Sequence, residues 1–68
     1  MQMSLVPLVM QGQCDPLVVR VRQVLNVQGG DQLDRPLMEL VRGVQRARGL
    51  TPHGELDEAT LRVFDIVV

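Results

Sequence analysis

A chain of 68 residues and 7.6 kDa makes one domain at most and cannot wall off a deep catalytic cleft. At 46% hydrophobic and 22% charged residues it is too apolar for a disordered tail, yet a core of this size supplies only about 3–5 kcal/mol, so help from a partner is expected. Seven basic residues against eight acidic ones, net −1, leave no electrostatic footprint for nucleic acid or an anionic membrane surface, and Phe64 as the single aromatic removes the usual stacking platforms. Cys14 stands alone, so no intrachain disulfide forms, and every basic residue is arginine. No apolar run approaches the ~20 residues of a membrane span, and Met1 to Met10 lacks the cationic start and small-residue cleavage site of a signal peptide. A soluble protein is expected, made in the cytoplasm without a signal peptide, with no membrane insertion and no nucleic-acid partner.

In chain order, residues 1–15 form an extended apolar N-terminal arm and a polar joint, and residues 16–68 form the domain. Within the arm Leu5, Val6, Leu8, Val9 and Met10 read as extended, because Pro7 breaks any helix and confines a strand to a sheet edge. The first helix, Leu17 to about Val27, is rich in β-branched valine, and Val19-Arg20-Val21-Arg22 alternates like a strand. The helical stripe Leu17, Val18, Val21, Val24 and Leu25 outlasts that alternation and decides for helix. From Asp34 to Arg48 the pattern is clearest: Leu37, Leu40, Val41, Val44 and Ala47 recur at helical spacing, with Glu39, Arg42 and Arg46 on a polar face. Asp34 caps this helix, Pro36 fits its first turn, and Gly49 fits its left-handed stop. Asp57 caps a last helix containing Leu61, Phe64 and Val67, and Leu33 and Leu56, just before the two caps, staple onto Met38 and Leu61.

Displacing the chain by 23 positions superimposes Leu17 on Leu40, Val18 on Val41, Val21 on Val44, Leu33 on Leu56, Asp34 on Asp57 and Val44 on Val67. It also sets Asn26 on Gly49, the two residue types that best tolerate a left-handed helix end. A 23-residue internal repeat sharing its middle helix predicts an all-α fold, a small three-helix bundle, with the arm free to pair as an edge strand.

The second half resembles the three-helix peptidoglycan-binding domain found on cell-wall hydrolases: Val44-Gln45, Gly49-Leu50, Gly54, Leu56-Asp57 and Thr60-Leu61 fall at that family's spacing without insertion. In the first half Val18, Val21, Leu25 and Gly29 keep the pattern, Arg22 stands where the family prefers glutamine, and Gly30-Asp31 stands where it prefers Asp-Gly. The resemblance spans about residues 16–64. It implies a ligand in a shallow groove beside the helix-connecting loops, which selects Arg46, His53 and Glu55. Along the middle helix Arg42, Arg46 and Arg48 suit the carboxylates of a muropeptide stem as bidentate donors, although a solvated helix face, partnered at helical spacing by Glu39, is the favoured reading.

Each signature residue has a sufficient structural task. Gln45 is a buried amide, Gly49 and Leu50 a helix stop, Gly54 a turn, and Asp34, Asp57 and Thr60 belong to capped helix starts. Two caps on separate helices explain Asp34 and Asp57 better than a general acid and base do. His53 has no second histidine or carboxylate cluster at ligand spacing, so no metal and no cofactor is expected, and Cys14 beside Asp15 reads as a passive thiol. No nucleophile or phosphate-loop motif occurs, and the protein is read as non-catalytic.

Two functions remain. The first is a structural subunit of a larger assembly such as a bacteriophage virion, docked on other protein subunits through the arm and the apolar Ile66-Val67-Val68 end. The second is a wall-binding module that holds a partner hydrolase on peptidoglycan. On the first reading the domain folds without Met1 to Met10.

Overall fold

A computed structural model describes residues 6–67; Leu5, among the docking residues expected above, and Val68 lie outside them. Three helices follow one another: α1 Pro16–Leu25, α2 Arg35–Ala47 and α3 Glu58–Val63. Each starts on an aspartate whose Oδ1 accepts a backbone N–H of the first turn: Asp15 from Leu17 at 2.9 Å, Asp34 from Leu37 at 3.0 Å and Asp57 from Thr60 at 2.8 Å. Each ends beside a left-handed residue: Asn26 (φ 57°), Gly49 (φ 73°) and Asp65 (φ 60°). The fold is all-α, and among the described residues pairing is confined to two isolated antiparallel bridges, Val9 with Leu56 and Cys14 with Gln32.

Val18 and Val21 from α1, Leu37, Met38 and Val41 from α2, and Leu61 from α3 meet in one core. The loop leucines Leu33 and Leu56 enter it fully buried, and both staple partners, Met38 and Leu61, are buried with them. Phe64, Ile66 and Val9 close the core.

Several expected placements change. The inward arc of α1 runs through Val18, Val21 and Arg22, so Val24 is exposed. On α2 the buried arc takes in Met38 and Gln45, which turns Leu40 out to 46% exposure and leaves Ala47 exposed. The last helix stops at Val63, because left-handed Asp65 ends it and lets the Ile66 N–H reach the Leu61 carbonyl at 2.9 Å. Ile66 therefore enters the core and is unavailable for docking, while Val67, expected on the helix, is 83% exposed.

The largest change concerns the arm. Val9, expected to dock on a partner, is a core residue at 1% exposure. The Leu8 and Val9 N–H groups donate to the Leu56 carbonyl at 2.7 and 3.1 Å, and the Leu56 N–H donates to Val9 at 3.1 Å. Farther along, the Gly12 N–H donates to Leu33 and the Leu33 N–H to Gln13, each at 2.9 Å. Residues 8–15 thus belong to the same packed body as residues 16–67. They are no appended tail, and a domain lacking Met1 to Met10 loses part of its core.

Candidate functional site

The two interhelical loops are each gathered by one buried polar side chain. From α2, fully buried Gln45 donates through Nε2 to the Glu55 carbonyl at 3.1 Å and to Thr60 Oγ1 at 2.9 Å, and its Oε1 accepts the Gly54 N–H at 2.9 Å. From α1, buried Arg22 donates to the carbonyls of Gln28, Gly30 and Gln32 at 3.1, 2.9 and 3.0 Å, and to Asp34 Oδ2 at 3.1 Å. Arg22 to Gln32 and Gln45 to Glu55 are the same bond moved along the chain by 23 residues, as are Val27 N–H to Arg22 and Leu50 N–H to Gln45. Each clamp needs a glycine beside it. A Cβ on Gly29 would overlap the Arg22 guanidinium; one on Gly54 would lie 3.1 Å from the Met38 carbonyl oxygen, and both backbones have positive φ.

His53 completes the second clamp. Its Nδ1 accepts the Glu55 N–H at 2.9 Å, and since that N–H can only donate, the ring proton sits on Nε2 and bridges to Asp57 Oδ2 at 2.8 Å. Burial pushes the Asp57 carboxyl up, but the Thr60 hydroxyl and N–H and then His53 outweigh it, so the group lies below its ordinary range. Asp34 is held low by the Leu37 N–H and, against slight desolvation, by Arg22. Among the described residues no buried side-chain nitrogen or oxygen lacks a partner. Both carboxylates are therefore engaged at helix starts, and Gln45, Gly54, Asp57 and Thr60 form one structural network.

The residues expected to bind ligand separate. His53 is engaged within the loop, and Glu55 Oε2 accepts the Gln11 N–H at 3.1 Å, which ties the arm to the loop. Arg42 pairs with Glu39 at 2.6 Å. Arg46 is exposed and, among the described residues, forms no ion pair. Beside α2 lies a depression of about 300 Å³ lined by Gln11, Arg35, Met38, Glu39 and Arg42; another of about 280 Å³ is lined by Glu58, Arg62, Ile66 and Val67. Cys14 is exposed, its thiol held up by partial desolvation and then by Asp31, which opposes thiolate chemistry. Among the described residues no group of His, Cys, Asp and Glu is arranged to hold a metal ion, and no helix is long and apolar enough to cross a membrane.

Among the described residues, several of the expected docking residues come together on the arm. Because the segment is extended, side chains alternate: Val9 points in, whereas Val6, Leu8 and Met10 are 69, 47 and 49% exposed. Two features escape the apolar pattern, the Arg22 clamp and the Asp15 cap. The 23-residue displacement does carry a signal for the first, since it superimposes Arg22 on Gln45. Comparison of the chain with protein-family models, with curated proteins and with solved structures found no match.

Proposed function

We propose that this protein is a non-catalytic interaction subunit of a larger assembly, a virion being the kind of particle it suits, built on a peptidoglycan-binding-like scaffold and docked through the outer face of its arm. The observation that carries this is the row Val6, Leu8 and Met10, turned outward on a backbone pinned to Leu56. Apolar side chains on a backbone already ordered lose little further entropy on docking, which favours them as contact points. In the same reading the two helix junctions are copies of one 23-residue unit. The paired clamp bonds of Arg22 and Gln45 and the matching left-handed stops at Asn26 and Gly49 support this.

The test is native mass spectrometry of the source material followed by exchange of a Val6→Ser, Leu8→Ser, Met10→Ser chain. Fixed stoichiometry with other proteins, and failure of the folded triple variant to incorporate, is the expected result. Normal incorporation of that variant sinks the proposal. Wall binding is the second reading, favoured by Arg46, which is exposed beside the loop clamped by Gln45 and forms no ion pair among the described residues. It requires co-sedimentation with isolated sacculi that weakens in Arg46→Ala.

A further inference from the structure

Positive charge is in excess along one face of α2. At 3.6 residues per turn Arg35, Glu39, Arg42 and Arg46 lie within an arc of about 60° on α2 and span about 16 Å along it. This stripe carries three arginines and one glutamate, 3 − 1 = +2, and the rest of the chain carries four arginines and seven acidic residues, 4 − 7 = −3, which together give the net −1. Only Arg42 is paired internally, with Glu39; Arg35 and Arg46, at the two ends, are exposed and form no ion pair among the described residues. Toward the Arg35 end the surface is concave, with a depression between α2 and the arm lined by Gln11, Arg35, Met38, Glu39 and Arg42.

We infer that this face of α2 docks an acidic peptide segment of a partner protein, with Arg35 and Arg46 each receiving a carboxylate. Arginine's planar fork matches a carboxylate in bidentate geometry. Spacing fits as well. In an extended peptide, side chains four residues apart point the same way and stand about 13 Å from one another, within reach of two long arginines about 16 Å apart along the helix. Glu39 sets the sign of the middle: the peptide residue facing it is an amide or a cation, so the recognised pattern is acidic, then neutral or basic, then acidic. Glu39 also argues against a phosphodiester backbone, whose closely spaced charges would fall on it as well as on the arginines. The surface is distinct from the outer row of the arm.

The test uses a short synthetic peptide with two glutamates separated by Ala-Gln-Ala, titrated at low salt into the isotope-labelled chain while backbone amide shifts are followed. Shifts confined to residues 35–46 and the Gln11 region are expected, weakening as salt rises. Arg35→Gln with Arg46→Gln weakens binding about five- to thirtyfold, with the urea midpoint unchanged because both side chains are exposed, and the Val6, Leu8, Met10 triple serine chain binds as well as the parent. Absence of shifts at millimolar peptide, equal binding of the matched lysine peptide, indifference to the double substitution, or tighter binding of a single-stranded oligonucleotide or a muropeptide overturns the inference.

Discussion

Removing the first ten residues tests most directly whether the arm is part of the fold. Deletion strips Val9 from the core, worth about 1.5–3 kcal/mol for a buried valine. It also breaks the two-way pairing of the arm with Leu56, one bifurcated acceptor and one donor, at about 0.5–1.5 kcal/mol for each. The loss comes to about 2.5–6 kcal/mol, against a total of about 3–10 kcal/mol for a chain of this length. The truncated chain is therefore expected to be largely unfolded or to melt at the first addition of denaturant. With no tryptophan or tyrosine, the assay is urea unfolding followed by far-ultraviolet circular dichroism. Val9→Ala, a gentler probe, should cost about 1.5–3 kcal/mol, whereas Leu8→Ser and Met10→Ser, both surface changes, should stay within about 0.5 kcal/mol. If the truncated chain unfolds within about 0.5 kcal/mol of the full one, the arm is not a core element.

The two clamps should differ in cost. Gln45→Ala strands the buried Gly54 N–H and the Glu55 and Thr60 oxygens for about 3–6 kcal/mol, whereas the carbonyls left by Arg22→Ala belong to exposed residues that water can reach, so that loss should be the smaller one in the same urea assay. Equal losses would contradict the solvent argument. Asp34 and Asp57 lie below 3.8 in the folded chain, so the unfolded chain binds their protons more readily. Their stabilisation is present above pH ~4 and disappears as the pH falls through the lowered folded values. Melting temperatures between pH 7 and pH 2 should decline on the acid side, and Asp57→Asn, which keeps a capping side chain, should decline less steeply; an acid limb unaltered by that substitution would remove Asp57 as its source.

Helix existence, and the helix ends set by Asp34, Asp57, Asn26 and Gly49, were legible in the residues because they depend on neighbours in sequence; the Asp15 start and the Asp65 stop were not. Asp34, Asp57, Asn26 and Gly49 act on backbone groups within one turn, and the structure finds them doing so. Which face each helix buries was less legible. Apolar spacing favoured Leu40 and Val24, but the inward arcs are shared with Gln45 and Arg22, polar residues that enter the core because distant loop carbonyls satisfy them. The expected ligand cluster dissolved for the same reason: His53 and Glu55 read as available polar groups until the loop folded and supplied their partners.

By itself the sequence determined a short all-α chain of three helices, the aspartate caps of the second and third, and the left-handed stops at Asn26 and Gly49, since caps and stops are local hydrogen-bonding and steric rules; the Asp15 cap and the Asp65 stop came from the structure. Only the tertiary structure decided that the arm is half core and half surface. An extended segment offers its two faces equally, and it is the Leu56 backbone, 47 residues beyond Val9, that chooses which one turns inward.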